Sequence, residues 1–68
     1  MTLLPGLTRR EADVLAWLAE GKANATIGTI LGISARTVDK HLEHIYQKLG
    51  VEGRTGAVAV ALTTTRRT

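Results

Sequence analysis

ISARTVDKHLEHIYQKLGV, residues 33–51, is the stretch that decides the fold, because it has the form of a capped amphipathic helix. Its apolar residues recur at the four-and-three spacing of one helix face. They are Val38, Leu42, Ile45 and Leu49. Ser34 suits an N-cap, and Gly50 suits the left-handed position that ends many helices. The stretch therefore predicts a helix over about residues 35–49 that packs one narrow stripe against the rest of the chain.

The opposite face of this helix carries side chains of the kinds that bind nucleic acid. They are Arg36, Asp39, Lys40, Glu43 and Gln47. Arginine and lysine bind guanine or phosphate, and a carboxylate accepts from the amino group of cytosine. The first hypothesis is a recognition helix lying in a DNA groove. The alternative for each residue is an exposed charge on a solvated helix.

A capping box at Thr8 and Glu11 predicts the start of a first helix over about residues 9–20. In this arrangement the threonine hydroxyl accepts from the glutamate amide, and the glutamate carboxylate accepts from the threonine amide. Gly21 is the expected left-handed stop. We expect Trp17 to lie in the core or half-buried rather than in a ligand contact.

A short second helix is predicted over residues 25–31, with Asn24 as its N-cap. We expect its Ile27, Ile30 and Leu31 to point into the core. Only three residues separate it from the next helix, which is the helix-turn-helix arrangement. Gly28 costs about 1 kcal/mol of helix propensity relative to alanine, so we expect a close neighbour there.

A fourth helix is predicted over residues 54–62, and its residues 57–62 are all apolar. One side should pack on the first three helices, and the other could meet a second copy across a two-fold axis. The dimerisation candidates are Ala57, Val58, Val60 and Ala61. Residues 1–7 form an ordered lead-in and residues 63–68 a fraying polar tail. The prediction is an all-α fold, a small four-helix bundle containing a helix-turn-helix, as one domain spanning residues 1–68.

The composition excludes several other classes of protein. A chain of 68 residues with 44% hydrophobic residues forms one small globular domain, and no apolar run is long enough to span a bilayer. The chain has no cysteine, no glycine-rich phosphate loop and no nucleophile with a partner base, so neither an enzyme nor a cofactor is expected. His41 and His44 lack further ligands, so no metal site is expected. A net charge of +3 weakly favours polyanionic partners.

Residues from all four predicted helices fall in an order shared with one known family. They are Leu7, Thr8, Arg10, Glu11, Val14, Leu15, Gly21, Asn24, Ile27, Leu31, Ile33, Ser34, Thr37, Val38, His41, Ile45, Lys48, Leu49, Val51, Arg54 and Ala57. With this pattern, over about residues 7–61, the chain resembles the LuxR-type (GerE-like) helix-turn-helix DNA-binding domain of bacterial transcription regulators. The resemblance implies a third helix that enters the major groove and a fourth helix that mediates dimerisation on DNA.

The resemblance also implies roles for particular residues. Those expected to face the groove are Arg36, Asp39, Lys40 and Glu43. Thr37 and Lys48 are expected near the phosphate backbone, and Asn24 with the amides that open the second helix is a candidate phosphate site, or a structural cap alone. The implied partners are double-stranded DNA and a second copy of the chain, with RNA polymerase as a further candidate. The expected location is the bacterial cytoplasm, in association with the nucleoid.

Two features depart from the family pattern. Asp39 stands where many members have lysine, so it either contacts a base or orients Arg36, three residues earlier. The second helix has Ala25, Thr26 and Gly28 where lysine, glutamate and alanine are frequent. Elsewhere, the joint presence of Glu11 and Arg54 predicts a salt link between the first and last helices.

Two wider questions stay open in the sequence. In the family such a domain usually ends a longer chain with a sensor, so this chain is either an excised domain or a small stand-alone regulator. A protein-interaction module is the alternative function, because the last helix is apolar and the face of the third helix carries mixed charge. Strongly salt-dependent binding to duplex DNA would distinguish a DNA-binding domain from that module.

Overall fold

Four helices and no strand make up the part of the chain that the structure describes, which is residues 6–66 for the backbone and 6–63 for the side chains. In this computed structural model the helices are α1 (Arg9–Ala19), α2 (Asn24–Leu31), α3 (Ala35–Leu49) and α4 (Arg54–Arg66). This confirms the predicted all-α class with a helix-turn-helix. None of the described helices has the length and apolar character needed to cross a membrane.

The predicted capping box begins α1. The amide of Thr8 donates to Oε1 of Glu11 at 2.9 Å, and the amide of Glu11 donates to Oγ1 of Thr8 at 3.1 Å. The helix ends one residue earlier than predicted, with Glu20 as its C-cap. Gly21 follows with a φ of +89°, a backbone conformation that favours glycine. Local signals therefore placed both ends of α1 to within one residue.

The turn between α2 and α3 is as tight as the sequence predicted. Gly32 has a φ of +73°, and the hydroxyl of Ser34 accepts from the amide of Thr37 at 3.0 Å. A Cβ atom on Gly28 would lie 2.5 Å from the carbonyl oxygen of Ile33. The close neighbour expected at Gly28 is therefore the backbone of the turn itself, and the absent side chain is what lets α2 and α3 meet there.

Eight apolar residues from all four helices form the buried core. They are Val14, Leu15, Leu18, Ile27, Val38, Leu42, Ile45 and Ala57. Three of the four residues in the predicted stripe of α3 are buried, and Leu49 is half-buried against them, as is Trp17. Burial of a large aliphatic side chain contributes about 1.5–3 kcal/mol, so this stripe holds α3 in place by its inner face.

The prediction that Ile30 of α2 lies in the core is wrong. Ile30 is 44% exposed, while Ile27 is fully buried and Leu31 is half-buried. The buried face of α2 also includes Gly28, where the turn packs on the backbone. Because that face is centred between Ile27 and Gly28, Ile30 projects about 100° away from it.

The predicted end of α4 is also wrong, because the helix continues to Arg66. Threonine is a weak helix former, but neither glycine nor proline follows Leu62 to stop the helix. Residues 63–66 of the predicted tail are therefore helical, and the rest of that tail lies outside the described residues. In the predicted lead-in, Leu7 is half-buried against the core, and residues 1–5 lie outside the described range.

Candidate nucleic-acid interface

Four charged side chains are exposed on α3, on the side away from its buried stripe. They are Arg36, Asp39, Lys40 and Glu43, which we call the outer face of α3. Together with Asn24, at the start of α2, they border an open depression over Leu42 and Tyr46. The structure thus brings together five of the seven residues that the sequence assigned to DNA binding.

Asn24 does not cap α2 as predicted. The N-cap is Ala23, which makes no side-chain hydrogen bond to the helix, and Asn24 is the first helical residue. Its side-chain amide turns instead toward two other helices. Nδ2 donates to Oδ1 of Asp39, and Oδ1 accepts from Nη1 of Arg54 at 3.1 Å. Asn24 therefore bridges α3 and α4.

Asp39 has Asn24 as its hydrogen-bond partner. The sequence left open whether Asp39 orients Arg36, and the structure joins Asp39 to Asn24 instead. Among residues 6–63 the ion pairs lie elsewhere, at Arg9 and around Glu11. Neither Arg36 nor Lys40 takes part in these ion pairs, so Arg36 does not pair with Asp39. Both basic side chains of the outer face are left to bind a ligand.

Lys48 lies on a different part of the surface, over the start of α1. Its Nζ donates to Oε1 of Glu11 at 2.7 Å, and 37% of its side chain is exposed. Nδ1 of His44 is 3.8 Å from the other oxygen of this carboxylate. The hydrogen bond from Lys48, with the bond from Thr8, lowers the pKa of Glu11, although burial acts in the opposite direction. Lys48 is therefore a structural partner of Glu11.

The predicted salt link between Glu11 and Arg54 is wrong. Arg54 donates from Nη2 to the carbonyl oxygen of Lys22 at 2.7 Å and from Nη1 to Asn24. Arg54 opens α4 beside the loop between α1 and α2, whereas Lys48 lies in the last turn of α3, next to the first turn of α1. The place of Arg54 in a network beneath the candidate interface was missed, although its position in the family pattern had marked it as important.

Thr37 lies in the first turn of α3 and is exposed. Its Oγ1 is 3.0 Å from Oγ of Ser34, and its amide donates to the same Ser34 oxygen. The two hydroxyl groups thus form one small polar cluster at the N-terminus of α3. A hydroxyl at this place can donate to an anion while the helix end supplies a favourable dipole.

The candidate dimerisation residues on α4 are only partly exposed. Ala57 is fully buried in the core, so it is not a dimerisation residue. Val58 and Ala61 are half-buried and pack against the core, whereas Val60 is half-buried outside that cluster. The exposed apolar residues of α4 are Ala59 and Leu62, and Leu62 is 44% exposed. The sequence assignment missed both, because a wholly apolar run does not show which side is buried.

No cluster of three or more histidine, aspartate, glutamate or cysteine residues within the described residues could hold a metal ion. His41 is half-buried on α3, and His44 faces Glu11. This surface offers hydrogen bonding and charge. It has two cations without an ion-pair partner among residues 6–63, two carboxylates, hydroxyl groups and helix amides.

A short helix joined through a tight turn to a helix with a buried back and a polar outer face defines the class of helix-turn-helix domains. The sequence pattern of the family described as bacterial regulatory proteins, luxR family, matches residues 5–61. The chain belongs to this family and is a LuxR-type DNA-binding domain of a transcriptional regulator.

Individual relatives agree with this assignment. The transcriptional activator protein BjaR1 of Bradyrhizobium diazoefficiens is 46% identical over 56 residues, which are 82% of this chain and 23% of that protein. The probable transcriptional regulatory protein SgaR of Hyphomicrobium methylovorum is 46% identical over 63 residues, 93% of this chain and 30% of that protein. The HTH-type quorum sensing-dependent transcriptional regulator RpaR of Rhodopseudomonas palustris is 49% identical over 57 residues, 84% of this chain and 24% of that protein.

The chain spans only about a quarter of the length of these curated relatives. Their names describe transcriptional regulators and not enzymes.

Proposed function

We propose that the chain binds duplex DNA sequence-specifically, with α3 in the major groove and two copies docked over an inverted repeat. The observation that carries the proposal is the division of α3 into two faces. Its inner face is held by the buried residues Val38, Leu42 and Ile45. On the outer face, Arg36 and Lys40 form no ion pair with any of residues 6–63. A helix held by its back presents its charged side to a groove about 12 Å wide.

Each residue of the interface has a role that its chemistry supports. Arg36 lies in the first turn of α3, the part of a recognition helix that contacts base edges, and its fork fits guanine or a phosphate. Lys40 follows one turn later as a flexible point charge. Glu43 accepts from the amino group of cytosine. These three side chains contact bases, and the surrounding groups fix the register of the domain.

Phosphate contacts come from the periphery of this face. Thr37 offers a hydroxyl at the start of α3, and α2 begins with amides that no side chain caps. Lys48 retains two further N–H donors beside its bond to Glu11, so a phosphate contact does not require that bond to break. Such contacts supply the sequence-independent part of the affinity.

Dimerisation on DNA is proposed to use α4. Its exposed apolar residues Ala59 and Leu62, with Val60 and the outer edges of Val58 and Ala61, form a small-residue surface that suits a symmetric contact. Two domains joined there would present two α3 helices to half-sites about one helical turn apart. The regulator acts on the nucleoid in the bacterial cytoplasm, and RNA polymerase is a further proposed partner.

The proposal is tested by selecting bound sequences from a random duplex pool. Arg36→Ala and Lys40→Ala are expected to relax the preference at different positions of each half-site, since each removes a base contact of about 1–3 kcal/mol. Arg9→Ala is the matched control, because it removes one exposed positive charge from α1, outside the outer face of α3. Unchanged sequence preference in both α3 variants would overturn the site assignment.

A protein-interaction module is the second candidate, and one observation favours it. Ile30 and Leu62 are large apolar residues left 44% exposed on α2 and α4. A module that docks a protein on such residues would bind DNA weakly or not at all at low salt. A DNA-binding domain would lose affinity steeply as salt rises, because it releases counterions from the phosphates. Titration of a random-sequence duplex at two salt concentrations therefore distinguishes the two functions.

A further inference from the structure

The rest of the fold fixes the position of Asp39 on the outer face of α3. Its Oδ1 accepts a hydrogen bond from Nδ2 of Asn24. Oδ1 of Asn24 accepts from Nη1 of Arg54 at 3.1 Å, and Nη2 of Arg54 donates to the carbonyl oxygen of Lys22 at 2.7 Å. These bonds join the loop before α2, the first residue of α4, the first residue of α2 and the outer face of α3.

The chemistry of the three side chains sets the direction of every bond. A guanidinium group has only donors and a carboxylate has only acceptors. The amide of Asn24 therefore satisfies both neighbours only with its oxygen toward Arg54 and its nitrogen toward Asp39. The flipped amide would place donor against donor and acceptor against acceptor. Asn24 is thus a bridge with one orientation, and it holds the Asp39 carboxylate in one place.

The other oxygen of Asp39, Oδ2, is left to accept a hydrogen bond from outside the chain. Among residues 6–63, Asn24 is the one hydrogen-bond partner of this carboxylate. A carboxylate without a donor is repelled by nearby phosphates, so docking is favourable only where a donor from the DNA meets it. In the major groove the base donors are the N4 amino group of cytosine and the N6 amino group of adenine.

Resting on the proposed function, we infer that Asp39 is a specificity-determining residue that accepts from the amino group of cytosine or adenine. Asn24 and Arg54 are positioning residues that hold its carboxylate for this contact. Guanine O6 or thymine O4 at the same place would set an acceptor against the carboxylate, so such sites are rejected. Docking excludes water and lowers the local dielectric constant. The hydrogen bonds of the Asn24 bridge then become stronger, and so does the repulsion between the Asp39 carboxylate and a guanine or thymine oxygen.

The test is selection from a random duplex pool by the 68-residue chain and by Asp39→Ala. We expect the parent chain to prefer cytosine or adenine about tenfold at one position of each half-site, and the recovered base tells which. Asp39→Ala is expected to lose the preference at that position alone. Glu52→Ala is the matched control, because it removes one exposed negative charge from the loop before α4. It is expected to keep the preference.

A double variant distinguishes a positioning role of Asn24 from a general effect of its substitution on the fold. Asn24→Ala is expected to weaken the preference at the Asp39 position, and adding it to Asp39→Ala should change nothing further there, since Asn24 acts through Asp39. Arg54→Met is expected to show the same non-additivity. Binding by Asp39→Ala with an unchanged preference at every position would overturn the inference and leave the proposed function intact. Failure of the parent chain to select any sequence would overturn the proposed function itself.

Discussion

Nζ of Lys48 lies 2.7 Å from Oε1 of Glu11, so the last turn of α3 is joined to the first turn of α1. The same carboxylate oxygen accepts from the amide of Thr8 and closes the capping box of α1. The side chain of Glu11 is only 4% exposed. One buried carboxylate therefore serves a helix cap and a contact between residues 37 apart in sequence. Removal of the lysine would leave a desolvated charge without its strongest partner.

Lys48→Met is expected to lower the free energy of unfolding by about 1–2 kcal/mol, because a hydrogen bond to a charged and largely desolvated group is lost. The loss is modest because Lys48 is 37% exposed and solvent screens the pair. Urea unfolding measures the change. Lys40→Met is the matched control and is expected to change stability by less than about 0.5 kcal/mol, since Lys40 is exposed and forms no ion pair with residues 6–63. Equal stability of the two variants would contradict the role given to the pair.

Stability is expected to fall as the pH drops below about 4.5, the ordinary pKa of a glutamate side chain. The bond from Lys48 lowers the pKa of Glu11 in the folded chain, so the folded state binds this proton less readily than the unfolded state. The contribution of Glu11 is therefore complete above the unfolded pKa and is lost as the pH falls through the lower, folded pKa. Glu11→Gln lacks this titration.

Urea unfolding of both chains between about pH 3 and pH 6 measures the effect of Glu11. The difference in stability between the parent and Glu11→Gln should shrink as the pH falls, because the parent loses its charged carboxylate. The groups that face the Glu11 carboxylate are His44 and Lys48. A difference that stays constant with pH would show that the Glu11 charge does not stabilise the fold.

The sequence predicted those parts of the fold that local patterns determine. The stripe of α3, the capping box at Thr8, the turn at Gly32 and the cap at Ser34 all depend on residues within about four positions of one another. The amphipathic spacing of α3 also gave the division between a buried back and an outer face. That division carries most of the candidate interface.

The features that could not be predicted from the sequence depend on how the helices lie relative to one another. Arg54 was assigned to Glu11, yet its partners depend on the direction in which α4 leaves the turn after α3, and no local pattern records that direction. Asn24 looked like an N-cap because its type suits one, but it begins the helix and bridges two others. Ala57 was misassigned because the uninterrupted apolar run of residues 57–62 does not show which face is buried. Ile30 was misassigned because the buried face of α2 includes Gly28, where the turn packs on the backbone.

Gly28→Ala is expected to destabilise the domain although alanine is the better helix former. The substitution gains about 1 kcal/mol of helix propensity. The added Cβ, however, would lie 2.5 Å from the carbonyl oxygen of Ile33, which is backbone and part of the tight turn. Relieving that overlap requires α2 and α3 to separate, so we expect a net loss of about 1–3 kcal/mol.

Gly53→Ala is the matched control for this prediction. No atom lies within 4 Å of a Cβ built on Gly53, and its φ is not in the left-handed region. This variant creates no steric overlap and is therefore expected to lose less stability than Gly28→Ala. The preference for glycine over alanine at the residue before α4 is partly offset by the reduced freedom of the unfolded chain. Thermal unfolding of both variants measures the effect. A stabilised Gly28→Ala chain would show that the turn can yield at little cost.

Leu62→Glu is expected to weaken binding to an inverted repeat much more than binding to a single half-site. Leu62 is 44% exposed on α4, so the new charge should leave the fold intact while opposing a contact between two copies. A pair of like charges across a two-fold axis costs further energy, because the symmetry places each glutamate near its equivalent. Gel-shift titrations with one-site and two-site duplexes measure the ratio of affinities.

Ile30→Glu is the matched control for the dimer, because Ile30 has the same 44% exposure on a different helix. We expect its ratio of two-site to one-site affinity to equal that of the parent chain. For Leu62→Glu we expect that ratio to fall at least about tenfold, which corresponds to about 1.4 kcal/mol of lost contact between the copies. If both variants keep the parental ratio, α4 does not form the dimer contact. If Ile30→Glu alone lowers it, the contact lies on α2, and the inverted-repeat geometry must be rebuilt around that helix.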